Sequence, residues 1–259
     1  MIHLQLALAA EAKPLRLFWK MRQLASTPFV VYQCERPWPI RLIISGSGKT
    51  AAAAAAGYLQ GMHPAEHAWI NCGVAGSTHW PLGEAVLANR ITDDASGQRW
   101  FPYMGGKQVQ ASGSLVTVDR PQTTMRDKFC YDMESSGFMT AVCRFTSVEL
   151  IRVVKIISDN HEQQANALTA ADISDLMAPV PALLQDHIEQ LHHILNMETE
   201  HPELENSFTK ALAQFHFSHS QRHNLRQLLR RWYRLHDALP ALTGCRTGND
   251  LLKLLSDDD

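Results

Sequence analysis

The reading of this chain turns on Tyr131-Asp132-Met133-Glu134-Ser135-Ser136-Gly137, followed by Arg152-Val153-Val154-Lys155-Ile156-Ile157-Ser158-Asp159. An acidic pair interrupts an apolar region, and a second acid then closes a run rich in Val and Ile. Strands of that composition do not end in Ser-Asp for packing reasons alone. In open α/β sheets ligands sit just beyond the carboxyl ends of the strands. Two carboxylates delivered to that edge are equipped to hold a polar ligand and to move a proton.

Working outward, residues 2–10 read as a buried strand, with Glu11 at its end and a helix over 12–25. Residues 29–34 and 40–45 read as paired strands across Pro37 and Pro39. Gly46-Ser47-Gly48-Lys49-Thr50 opens a helix built on six alanines at 51–56, the strongest helix former. Strands are expected at 68–72, 84–92, 113–118 and 148–157, a loop over 93–112, and a helix over 134–146. This alternation of strand, glycine turn and helix is the pattern of a sheet covered by helices. The texture then changes. Residues 169–196 carry apolar positions at helical spacing. The acidic, proline-containing stretch 197–206 reads as a linker, and 207–259 as a helical C-terminal extension with helices at 207–239 and 251–255. The terminal 256–259 reads as frayed. The expected division is a core of 1–196, the linker, and the extension.

Bulk properties narrow the class. The 259 residues are 45% hydrophobic and 19% charged, the balance of a globular chain. A net charge of -2 gives no global reason to expect a nucleic-acid or membrane partner. The cysteines (Cys34, Cys72, Cys130, Cys143 and Cys245) are odd in number and form no CxxC pair. That argues against a disulfide framework or structural zinc, and fits a reducing cytoplasm. The N-terminal apolar run lacks a basic flank and meets Glu11, so it reads as a strand and not a signal peptide. No apolar run approaches the roughly 20 residues of a membrane span.

Each candidate site has a bland alternative. Gly46–Thr50 resembles a phosphate loop, but the motif needs a glycine where Ile43 stands. The turn is then either a tight strand-to-helix connection or a place where backbone N–H groups dock an anion or hydroxyl. Glu11 is either a first-turn helix acid or a site carboxylate. Asp132 and Glu134 fit helix capping, and equally fit accepting hydrogen bonds from paired hydroxyls, as on a ribose. Such bonds contribute roughly 1.5–3 kcal/mol each. Asp159 has the weakest bland reading. As a general acid it needs its pKa raised from about 3.9 to about 7, roughly 4 kcal/mol of environment. The histidines, including His187, His192 and His193 and the His219/His223 pair, lack zinc-motif company and read as surface residues. No metal or organic cofactor is expected. Arg222, Arg226, Arg230, Arg231 and Arg234 form a cationic stripe on an amphipathic helix, read either as a docked helix with a solvated face or as a contact for an acidic partner or a nucleic-acid backbone.

Ala-Ala-Glu-Ala at 9–12, Ser-Gly-Ser-Gly-Lys at 45–49, Asn-Cys-Gly-Val-Ala-Gly at 71–76, Asp-Met-Glu at 132–134 and Ile-Ser-Asp at 157–159 occur in the order found in the nucleoside phosphorylase and nucleosidase superfamily. The chain most resembles its methylthioadenosine/S-adenosylhomocysteine nucleosidase branch, over residues 2–195. The resemblance implies a three-layer α/β/α fold around a mixed, partly closed sheet, and cleavage of the bond between a purine and its ribose. It implies that Asp159 protonates the base at N7, and that Glu134 grips the ribose hydroxyls with Met133 against the sugar. Glu11 would orient or activate the attacking water. Gly73, Val74, Ser158, Lys155, Leu115 and Val116 would surround the substrate, and the chain would form a homodimer. Phosphorylases carry an arginine and a serine where Asn71 and Val74 stand, so water is the expected nucleophile. Nucleosidases carry serine and arginine where this chain has Val74 and Lys155.

Overall fold

The structure is a computed structural model. It describes residues 1–104, 111–121, 128–160, 168–200, 202–236, 238–242 and 244–256, with backbone alone at 197–200, 219, 220, 223 and 234. It divides into two compact units, Met1–Ile194 and Leu195–Asp259.

The first unit is built on strands β1 (Ile2–Leu6), β2 (Arg22–Ala25), β3 (Val30–Cys34), β4 (Ile40–Ile44), β5 (Ala68–Ser77), β6 (Ala85–Asp93), β7 (Arg99–Trp100), β8 (Ala111–Thr117), β9 (Phe129–Asp132) and β10 (Ile151–Asp159). Its helices are α1 (Ala9–Phe18), α2 (Lys49–Met62), α3 (Ser135–Val142), α4 (Ala170–Leu176) and the start of α5 (Val180–Glu200). The strands form one mixed sheet in the order β10-β6-β8-β9-β5-β1-β4-β3-β2. β5 is long enough to take three partners: Ala68–Asn71 run parallel to β1 and Trp69–Gly76 parallel to β10, while Gly76 and Ser77 pair antiparallel with β9. The circuit β5-β10-β6-β8-β9 therefore closes on itself, and the expected partly closed sheet is present. Every residue of β1 and β10 is buried, as strands covered on both faces require.

Several elements differ from expectation; the helix read at 207–239 is two, Pro202–Gln214 and His219–His236, and the loop read at 93–112 contains the short strand Arg99–Trp100. β1 stops at Leu6, and α1 begins at Ala9 because the Glu11 carboxylate takes the backbone N–H groups of Ala7 and Leu8. That places Glu11 inside the first turn of the helix. At its far end α1 stops before Lys20, whose φ of 48° turns the chain back. Residues 22–25, expected as helix, are the edge strand β2. The expected strand at 148–157 starts with a short 3-10 turn, Val148–Leu150. The expected helix over 169–196 is broken around Met177, ahead of two prolines, into α4 and α5.

α2 and α3 pack together over one face. The buried Ala52, Ala55 and Ala56 keep α2 slim, and Gly137 of α3 sits where a Cβ would lie 2.0 Å from the Lys49 carbonyl oxygen. The apolar core on that face gathers Trp69, Phe138, Met139, Ile43 and Ile157.

The second unit contains α6 (Pro202–Gln214), α7 (His219–His236) and α8 (Gly248–Ser256) around its own core of Phe208, Phe217, Leu225, Leu229, Leu251 and Leu255. Residues 198–200 and 202–206, read as a linker, are helical. The cationic stripe of α7 is partly spent inside the unit. Arg226 pairs with Glu205 at 2.9 Å and lies 4.1 Å from the Phe208 ring centroid, and Arg230 is buried. The Arg234, His219 and His223 side chains, and the terminal 257–259, lie outside the described residues. All five cysteines are free. Among the described residues no helix is long and apolar enough to cross a membrane.

Candidate active site

A cavity of about 190 Å³ opens at the carboxyl ends of β1, β5, β9 and β10. Glu11, Glu134 and Asp159 all line it, together with Met133, Val74 and Ser158. Glu11 and two acids more than a hundred residues further along the sequence thus converge on one space. The wall also takes in Ser47, Tyr131 and Asp132 from the quoted motifs, and Leu8, Val118 and Ile173, which the sequence reading did not single out.

Glu11 is fixed from both oxygens. Oε2 accepts from the N–H groups of Ala7 and Leu8, each at 2.9 Å, and Oε1 accepts from the Val74 N–H at 2.9 Å. It is therefore both a helix cap and a cavity group. Burial pushes its pKa up, while the Val74 and Leu8 bonds and Lys155 pull the other way. Gly73 makes the arrangement possible: a Cβ at that position would lie 2.7 Å from Glu11 Oε1.

Glu134 is the N-cap residue of α3. Its Oε1 accepts from Gly48 N–H at 2.9 Å and Oε2 from Met133 N–H at 3.3 Å. The backbone anion site at the start of α2 is thus occupied by the protein's own carboxylate. Gly46 and Gly48, at φ of 79° and 101°, provide the turn that aims this N–H. Burial raises the pKa of Glu134, with Lys155 opposing.

Asp159 ends β10 and is buried. Ser158 Oγ donates to its Oδ1 at 2.6 Å. Burial raises its pKa and the Ser158 bond opposes the rise. This is the direction a proton donor needs.

Lys155 lies behind the cavity and not on its wall. Its ammonium is buried and meets Asp132 Oδ2 at 2.9 Å. Burial disfavours its charge, but Asp132 and Glu134 outweigh this and its pKa is raised. Asp132 is held further by Thr117 Oγ1 at 2.7 Å and by the Ser135 N–H at 2.9 Å. Leu115 and Val116 are not on the cavity wall either. Leu115 points into the apolar core, and Val118, just past the end of β8, is the wall residue from that strand. Among the described residues no group of His, Cys, Asp and Glu is placed to hold a metal. His187 was expected at the surface, but burial and nearby Arg152 lower its pKa to about 4.

No family model and no curated protein matches the chain. Solved structures do. A 5′-methylthioadenosine/S-adenosylhomocysteine nucleosidase from S. pneumoniae superposes with a TM-score of 0.57 at 17% identity, covering 73% of this chain and 97% of that one. A 5′-methylthioadenosine nucleosidase from Arabidopsis thaliana gives 0.58 at 15% identity, covering 75% and 95%. Futalosine hydrolase of Helicobacter pylori gives 0.60 at 13% identity, covering 74% and 97%. The chain has the fold of these proteins.

Proposed function

We propose that the chain hydrolyses the N-glycosidic bond of a purine nucleoside or thionucleoside and releases the base. The observation that carries this reading is the convergence of Asp159, Glu134 and Glu11 on one cavity in a nucleosidase fold. In the reaction the C1′–N9 bond breaks as N7 of the base takes a proton from Asp159. Its electron pair leaves with the base, and the sugar carbon gains oxocarbenium character. Glu134 accepts hydrogen bonds from the ribose hydroxyls and Met133 packs against the ring. Water adds to C1′ and gives up a proton toward Glu11. The nearby carboxylates stabilise the positive sugar as charge develops.

Water is favoured over phosphate by the surroundings of Glu11. The nearest ammonium, Lys155, is engaged by Asp132, and the Val74 N–H is taken by Glu11 itself. An incoming phosphate dianion would meet carboxylates without a free cation among the described groups of the wall. Free cysteines fit a cytoplasmic protein, and a homodimer is the expected assembly, to be checked by light scattering. The reading is tested by purine release from a panel of nucleosides with and without phosphate. Release independent of phosphate supports hydrolysis. Phosphate-dependent release would replace it with phosphorolysis, and tight binding without release would make the chain a nucleoside-binding protein.

A further inference from the structure

Behind the cavity the polar groups form one continuous chain. Lys49 Nζ meets Asp93 Oδ2 at 3.0 Å and Asp119 Oδ1 at 2.7 Å. The buried Asp93 carboxylate also accepts from Ser136 Oγ at 2.7 Å and from Ser96 N and Oγ, each at 2.8 Å. Ser136 N–H donates to Thr117 Oγ1 at 3.0 Å, and Thr117 Oγ1 donates to Asp132 Oδ1. Asp132 ends on Lys155. The chain runs from exposed Asp119 to buried Lys155 through the first turn of α3, the helix that Glu134 caps. Lys49 touches this turn by its backbone as well. It follows Gly48, which donates to Glu134, and its carbonyl abuts Gly137.

We propose that Lys49 is a positioning residue of this site: its ammonium ties the cavity wall at 118–121, through Asp119, to the Asp93–Ser136 clamp on α3, and so sets how Glu134 faces the sugar. This rests on Glu134 being the sugar-binding group. A lysine after a glycine turn invites a phosphate role, but this ammonium is already shared between two carboxylates. The two arms differ in kind. Asp93 is nearly inaccessible, whereas the Asp119 side chain is 65% exposed. Salt screens the outer arm and leaves the inner one nearly intact. Val118 and Pro121 line the cavity on either side of Asp119, so the outer arm acts on the wall. The inner arm neutralises Asp93. Burial works against that carboxylate's charge, but hydrogen bonds from Ser136, Lys49 and Ser96 outweigh it and hold its pKa well below the usual range.

Two variants separate positioning from simple stabilisation. Asp119→Asn removes only the exposed arm. It is expected to raise KM for the nucleoside about threefold to tenfold with kcat nearly unchanged and an unaltered melting temperature. Wild-type KM is expected to climb between about 0.05 and 0.5 M salt, and that of Asp119→Asn to stay flat. Lys49→Gln is expected to raise KM further, with Lys49→Arg restoring part of the loss. Amide exchange at Gly48 and 133–137 should quicken in Lys49→Gln and recover in Lys49→Arg. Unchanged KM and salt response in Asp119→Asn would overturn the proposal, as would unchanged exchange in Lys49→Gln. If the wild type turns over no nucleoside, the reading of the cavity fails, while the exchange data still decide whether Lys49 ties these segments together.

Discussion

At the scale of single residues, Asp159 carries the sharpest expectation. Burial raises its pKa, so the acid form persists to higher pH than in an ordinary carboxyl. Turnover that needs this proton should fall as pH rises through the raised value. Asp159→Asn should lose about 10²–10⁴ in rate and lose that limb of the profile with it. Purine release measured across pH in both proteins checks this, and a limb that survives in the variant belongs to another group. Asp159 was legible in sequence because an acid closing a Val/Ile strand contradicts its apolar setting. Leu115 was misplaced because the face a strand residue occupies changes with every step along it, and Val116 because it lies inside β8, short of the carboxyl end where the wall begins. Leu115 pairs with Cys130 and turns to the core, and the wall position falls at Val118.

At the scale of elements, the junction of α2 and α3 decides the site. Gly137 abuts α2, and a methyl group there would lie 2.0 Å from the Lys49 carbonyl oxygen, backbone that must shift to admit it. Gly137→Ala is expected to destabilise the protein by about 1–3 kcal/mol, the usual cost of overpacking. A shift in the denaturant midpoint at unchanged slope measures it. Because α3 carries Glu134 at its cap, the same variant should weaken nucleoside binding. The glycine turn and the alanine run were readable as a strand-to-helix connection. That the turn's N–H would be taken by Glu134, 86 positions away, was not, because that bond depends on how two helices cross.

At the scale of the whole molecule, stability should depend on pH through a buried histidine. His3 is inaccessible, and neither ring nitrogen has a hydrogen-bond partner. Its ring faces His67 at 4.2 Å and Trp69 at 4.5 Å. Burial first, then His67, Arg41, the N-terminal amine and His63, hold its pKa well below 6.5. His67 itself is lowered to about 4. As pH falls below 6.5 the unfolded chain binds protons that the folded one refuses, so stability drops on the acid side and is fully present above it. Urea midpoints should fall as the pH is taken from above 6.5 to below it, and His3→Leu should flatten the trend. The second unit has a separate core, and every described wall residue of the cavity belongs to the first. Leu225→Ala should therefore cost about 2–5 kcal/mol in that unit and leave turnover unchanged, as circular dichroism melting and purine release would show.

Sequence alone sufficed for the alternation of strands and helices in the first 160 residues and for three acids in a recognisable order. These are local properties: period, punctuation, and charge where apolar residues dominate. It took the folded arrangement to show that Glu11 is at once cap and cavity group, that Lys155 lies behind the wall locked to Asp132, and that Lys49 bridges Asp93 and Asp119. Val74 reaches Glu11, Asp132 reaches Lys155, and Asp93 and Asp119 reach Lys49 only through the pairing of the sheet and the helices on it, and the energy of a buried charge is set by such partners, whose distance along the chain gives no sign of it.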